Sequence, residues 1–258
     1  MNHYFPEEPL NLSPSVGGGY YPAVIHQKLN GDKYKVIRKL GYGPRSSSWL
    51  VLCVHDPKYY VVKIFTLTAS DHAKTVETPI LKAVNNLSLS LLLPRLHESF
   101  WEKGSAGSHL CFVMNPLSTS IQDLQQHADN QRFPVHVVQR IVWCVANSLN
   151  DLHITKIMHG RTYNLSHLRA IANSLLEIKA ENIFFSTATG IDRLTSVLNS
   201  EPAPSIRKIK NFTTVISQPL PHTFKWNDKK KVVADWPIHL DGFGHGKAPI
   251  FSHLRSLC

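Results

Sequence analysis

The sequence predicts an α+β fold in two lobes: a five-stranded antiparallel lobe carrying one helix, then an incomplete helical lobe. Three observations lead there. β-rich runs separated by turn residues fill the stretch from residue 33 to 65. A segment of helical period follows, and then two more strands, around 94–100 and 109–114. The clearest helical pattern, 134–153, comes only after all five strands.

Taken in order, residues 1–19 end in S-V-G-G-G and read as a flexible arm. Residues 33–41, K-Y-K-V-I-R-K-L-G, and 48–54, S-W-L-V-L-C-V, are strands joined by a Gly/Pro/Ser loop. His55-Asp56-Pro57-Lys58 is a turn, and Y-Y-V-V-K-I-F at 59–65 is the third strand. Ala73, Val76, Ile80 and Val84 recur at helical spacing in 71–86, where Pro79 should kink or shorten the helix. The linker 103–108 between the last two strands is hairpin-like. In 134–153, Val138, Ile141, Val142, Val145, Leu149 and Leu152 mark the helix, with Pro134 near its first turn. Residues 186–231 are rich in Ser, Thr, Pro and Lys and read as a long loop or insertion. The last readable element lies around 232–244.

A chain of 258 residues with 43% hydrophobic content can bury one good core or two small ones. The net charge of +10 favours anionic partners without choosing among them. The one tight basic run, Lys229-Lys230-Lys231, reads as a solvated loop, and no aromatic-plus-basic strand or helix-turn-helix pattern points to direct nucleic-acid binding. Cys53, Cys111, Cys144 and Cys258 have neither zinc nor disulfide spacing, which suggests a reducing compartment. Residues 1–14 lack the apolar core of a signal peptide, and no apolar run approaches the ~18 residues of a membrane span.

The chemistry sits on three features. Leu40-Gly41-Tyr42-Gly43-Pro44-Arg45-Ser46 joins two strands, where glycine lets the backbone approach phosphate closely. Lys63 lies inside an apolar strand, where a lone ammonium is costly unless paired or used. Glu77, fourteen residues on, falls on the following helix and could pair with it. Each alone is ordinary: a hairpin, a snorkelling lysine, a surface glutamate. Together, in this order and on these elements, they resemble the protein-kinase signature set.

That resemblance implies an ATP site, with Lys63 and Glu77 positioning the phosphates under the glycine-rich turn. H-L-C-F-V-M-N-P-L at 109–117 resembles the fifth strand and hinge, which makes Met114 the gatekeeper and sets Asn115 to Leu117 against adenine. Within kinases the chain is most similar to the SR-protein kinase family, which phosphorylates Arg/Ser-rich splicing factors. Gly19-Tyr20-Tyr21-Pro22-Ala23-Val24, Leu29-Asn30-Gly31-Asp32-Lys33-Tyr34, Val36 to Gly43 and Leu96 to Leu117 carry that likeness. It covers residues 18–160 well, and 177–185 and 238–244 in pieces. It implies a lobe at 20–117 with the hinge, a partial second lobe at 118–258, a cytoplasmic and nuclear location, and no membrane.

The pattern departs from the family at the catalytic centre. A loop like H-R-D-L-K-P-E-N is expected, and here His159-Gly160 is followed by sixteen residues, 161–176, before Glu177-Ile178-Lys179-Ala180-Glu181-Asn182. Removing 161–176 restores the register, H-G-E-I-K-A-E-N. The family's catalytic Asp then falls on Glu177, its loop lysine on Lys179 and its Mg²⁺-binding Asn on Asn182. Residues 161–176 read either as a translated intervening sequence or as a genuine helical insertion. The metal-binding D-F-G is altered too: in I-H-L-D-G-F-G the Asp register falls on Gly242, with Asp241 one place early. Nothing after residue 244 resembles an activation loop, so the second lobe reads as truncated. Three readings follow: a kinase-like chain acting on Ser/Thr with ATP and Mg²⁺, a pseudokinase or fragment serving as a binding module, and a basic nucleic-acid binder.

Overall fold

The structure, a computed structural model, describes residues 7–86, 92–154, 178–187, 191–209 and 211–242. Its main sheet is antiparallel, built from β1 (Lys28–Leu29), β2 (Tyr34–Gly43), β3 (Ser46–Cys53), β4 (Tyr59–Phe65), β5 (Leu96–Lys103) and β6 (Ser108–Met114). The strand order is β1-β2-β3-β4-β6-β5. The five expected strands are present, and β1 makes a sixth. Two residues are too short for any periodic signal. β1 exists because Asn30, Gly31 and Asp32 all adopt positive φ and turn the chain back onto β2.

The single predicted helix is divided. α1 (Leu67–His72) is capped by the Thr66 hydroxyl, which accepts the Ala69 N–H at 3.3 Å. A π-helical turn at Ala73–Glu77 follows, and then α2 (Thr78–Asn85) with Pro79 in its first turn. Pro79 has no N–H, and its ring would crowd the carbonyl four residues back. Widening the preceding turn, so that Thr78 N–H reaches Ala73 O, removes that clash. The expected kink is therefore a π turn.

A smaller sheet follows the hinge: β7 (Leu117–Ser120), β8 (Ile183–Ser186) and β11 (Ile238–Leu240), ordered β11-β8-β7. α3 (Ile121–Gln126) opens with a capping box between Ser120 and Asp123. α4 (Val135–Ile154) matches the expected helix closely, but its apolar face is not a single stripe. Val137, Cys144, Ser148, Leu149 and Leu152 are buried, whereas Val138 and Val142 are exposed beside Val135 and Trp143. Apolar residues occur on two sides of this helix, and periodicity alone merged them.

The segment 186–231, expected as a long loop or insertion, is not all loop: it contains α5 (Ile191–Ser200), a hairpin of β9 (Ile206–Ile209) with β10 (Phe212–Val215), and the start of α6 (Lys230–Val233). It packs on the main lobe through Leu194 and Leu220 against Leu50. The start of the described arm, expected as flexible, is docked, while residues 11–13 and 15–17 are exposed. Glu7 and Glu8 are buried on the ammonium of Lys39, itself wholly buried in β2. A buried lysine needs carboxylates, and the arm supplies them.

One apolar cluster runs from Phe65 and Phe112 in the sheet through α2 and α4 to Phe185 and Trp236, so both lobes share a core. Cys53, Cys111 and Cys144 are buried and free. Three imidazoles are wholly or partly buried: His109, whose Nδ1 lies 2.8 Å from Phe65 O, and the half-buried His222, tilted against Phe185, and His239, beside the Ser186 hydroxyl. Burial holds all three below their ordinary value of 6.5. The folded state thus prefers them neutral, and the stability this gives is present above pH 6.5 and lost as pH falls below it. Unfolding midpoints should drop steadily through that window, and a flat profile down to about pH 5 would contradict the burial of these rings.

Candidate nucleotide site

A cleft of about 500 Å³ lies between the two sheets. β2 and the start of β3 supply Leu40, Gly41, Tyr42, Gly43 and Ser46; β4 supplies Val61 and Lys63. Met114, Asn115 and Leu117 come from the connection between the sheets, and Phe184 and Asp241 from the smaller sheet and its end. A Cβ at Gly41 or Gly43 would meet nothing within 4 Å, and neither glycine has positive φ. The fold does not demand glycine at these positions. What they provide is open space along the backbone, which a ligand can use. Tyr20 pins this strand end, its hydroxyl donating to Gly43 O at 2.8 Å.

Lys63 pairs with Glu77 at 3.4 Å. Glu77 is buried at the last residue of the π turn and does not line the cleft itself. Its other carboxylate oxygen lies 3.4 Å from Arg45 of the β2–β3 turn, a partner the sequence reading did not assign. Met114 is buried, opposite Val61 in register.

The catalytic and metal candidates are placed less uniformly. Glu177, His159 and residues 161–176 lie outside the described residues. Lys179 is exposed, pairs with Glu181 at 3.4 Å and is not among the cleft-lining residues; Glu181 is. Asn182 and Asp241 are neighbours, with Asp241 N–H donating to Asn182 O at 2.8 Å. Gly242 has φ +98°, and a Cβ there would come within 2.8 Å of the Asn182 side chain. The register position of the metal-binding Asp is thus held by a residue that this backbone requires to be glycine.

Sequence reasoning missed one wall. Ser217, Pro219 and Leu220 line the cleft from the segment expected as a loop. Gln218 N–H donates to Lys39 O at 2.9 Å, Lys39 Nζ to Val215 O at 3.1 Å, and the Ser118 hydroxyl to Leu220 O at 2.5 Å. This strap therefore touches both the glycine-rich strand and the residue after the hinge. The β-branched run T-T-V-I at 213–216 was the available signal. Asp123, also on the cleft, was not assigned either; its capping-box spacing from Ser120 was the available signal.

The residues present fit an adenine nucleotide: an apolar slot between Leu40, Val61, Met114 and Leu117, open backbone at the glycines, and a held lysine. For Mg²⁺ they offer the amide oxygen of Asn182 and the carboxylate of Asp241. Among the described residues no three His, Cys, Asp or Glu converge as a metal site.

No protein-family model matches the chain. It is 32% identical over 153 residues to SRSF protein kinase 3 of Mus musculus, a match covering 55% of this chain and 26% of that protein. It is 27% identical over 143 residues to protein kinase dsk1 of Schizosaccharomyces pombe, covering 53% of this chain and 26% of that one. The matched part thus spans about a quarter of these relatives' length. A solved kinase domain shares the fold with a TM-score of 0.59 at 18% identity, over 91% of this chain and 57% of that one. Over about half its length the chain is thus similar in sequence to SR-protein kinases, and its fold is that of a protein kinase domain.

Proposed function

We propose that the chain binds ATP in the cleft beside Lys63 and acts as a serine/threonine kinase-like protein towards Arg/Ser-rich proteins, including splicing factors. The Lys63–Glu77 pair at 3.4 Å, next to the open glycine backbone of β2, carries this reading. Gly41 to Ser46 cover the phosphates, Lys63 contacts them, and Asn115 to Leu117 face adenine. A substrate hydroxyl oxygen attacks the γ-phosphorus, the bond to the β–γ bridging oxygen breaks, and ADP leaves. Glu177 orients the hydroxyl and takes its proton. Asn182 and Asp241 would hold Mg²⁺, which when bound neutralises phosphate charge. The family likeness supports a cytoplasmic and nuclear location, and no described helix is long and apolar enough to cross a membrane.

The backbone at Gly242 favours a second reading, a nucleotide-binding module without turnover. Phosphotransfer to an Arg/Ser-rich peptide separates the two.

The test of the site itself is thermal unfolding with and without Mg-ATP, in the wild type and in Lys63→Ala. Ligand at about 100 times its Kd should stabilise the wild type by about 2.7 kcal/mol, and Lys63→Ala should lose most of that gain. A cooperative transition indifferent to nucleotide would sink the reading.

A further inference from the structure

Ser217, Pro219 and Leu220 line the cleft between β2 and the residues that follow the hinge. Both ends of this strap are bonded to the cleft's own elements. Gln218 N–H donates to Lys39 O at 2.9 Å, next to the cleft residue Leu40, and the Ser118 hydroxyl donates to Leu220 O. Its near end is held by the arm. Glu7 accepts the Ser217 N–H on one carboxylate oxygen at 2.8 Å and the Ser217 hydroxyl on the other at 2.7 Å. Lys39 Nζ fixes that second oxygen at 2.9 Å, and both Glu7 and Lys39 are buried. The run Q-P-L-P at 218–221 stiffens the strap, since proline fixes its φ at about −65°. Glu7 itself is not among the cleft-lining residues, so whatever it does for a ligand passes through Ser217.

We infer that the strap is the sugar-side wall of the nucleotide site and that Glu7 positions this wall through Ser217. The wall selects nucleotides with free ribose hydroxyls over those that carry a bulky group there. This rests on the nucleotide-site reading above. With the base against Asn115 to Leu117 and the phosphates at the glycine-rich turn and Lys63, the sugar lies between them. There the cleft is lined by Ser118, Thr119 and the strap. A substituent on the sugar must push the strap outward, which breaks hydrogen bonds at buried or half-buried groups. An unsubstituted ribose leaves them intact.

The experiment is equilibrium binding of Mg-ATP, and of Mg-ATP esterified with N-methylanthranilate on a ribose hydroxyl, to the wild type, Glu7→Ala, Glu7→Gln and Ser118→Ala. Ligand-free thermal unfolding confirms that each variant is folded. Ser118→Ala releases the other end of the strap and tests the wall even where Glu7→Ala does not fold. The wild type should bind ATP at least about tenfold more tightly than the ester. Glu7→Ala and Ser118→Ala should cut that ratio to about threefold or less by admitting the ester, with ATP itself within about threefold of wild type. Glu7→Gln keeps an acceptor for the Ser217 N–H and leaves Lys39 paired with Glu8, so it should hold the ratio near the wild-type value. A wild type that binds ATP and the ester equally would overturn the inference. So would a ratio unchanged in Ser118→Ala, and so would parallel losses of ATP and ester, which would leave Glu7 and Ser118 as props of the fold alone. In each of these cases wild-type ATP binding keeps the cleft reading standing. A wild type that binds neither removes both.

Discussion

Lys39→Ala should destabilise the chain by about 3–5 kcal/mol in denaturant unfolding, because it leaves buried carboxylates without their cation. Lys39 has no exposed surface and donates to Glu7 at 2.9 Å, to Glu8 and to Val215 O. Glu7 also accepts from Ser217, from the N–H at 2.8 Å and the hydroxyl at 2.7 Å. Burial pushes the Glu7 carboxyl up, but the Ser217 and Lys39 bonds together outweigh it and hold the group below its usual range. For Glu8, burial wins over Lys39, and the carboxyl is raised. The stability from Glu7 is therefore lost as pH falls through its lowered value, and that from Glu8 is lost as pH rises through its raised one. Replacing Lys39, Glu7 and Glu8 together by Met, Gln and Gln should recover much of the single-variant loss, since a neutral cluster no longer strands a charge. A Lys39→Ala cost below about 1 kcal/mol would mean that the arm is not docked as described.

Trp236→Ala should cost a similar amount, about 3–5 kcal/mol. The indole is wholly buried, edge-on to Phe185 at 5.3 Å and tilted against Phe224 at 5.7 Å. Its carbonyl holds the Arg140 guanidinium, Nη2 at 2.7 Å, which ties the segment before β11 to α4. Among the described residues its own N–H has no acceptor. Trp236→Phe keeps a ring and removes that orphan donor, so it should cost far less, under about 1.5 kcal/mol. Equal costs for the two variants would show that the N–H has a partner whose loss matters.

The elements most legible in the sequence were those with dense apolar periodicity: β2 to β6 and the extent of α4. Pro79 announced a break in the helix but not its form, because proline chemistry forbids a hydrogen bond without choosing between a kink and a widened turn. The arm and the segment 186–231 were illegible for a different reason. They are held in part by polar contacts, Glu7 and Glu8 on Lys39 and Gln218 on the Lys39 carbonyl, and in part by single apolar residues such as Leu194 and Leu220 on Leu50, and neither leaves a strong period in a sequence. β7, L-S-T-S, is likewise a strand through its pairing with β8 and not through its own pattern. In the site, most of the predicted residues brought together on the cleft are on regular strands, with Asn115 and Asp241 just beyond strand ends. The loop residues Lys179 and Asn182 depend on backbone turns that composition does not encode.

The strap at 215–220 bears on how the two lobes can move. They are joined in sequence at Asn115–Leu117, and a second time where Lys39 and Ser118 are both bonded to the strap. The shared apolar core and the bonds of Leu240 and Ser148 to the Leu92 carbonyl join the lobes on the far side of the cleft. The strap is therefore a clasp on the near side: parting the lobes there strains the Ser118–Leu220 and Gln218–Lys39 bonds, which belong to a segment distant in sequence from the glycine-rich turn.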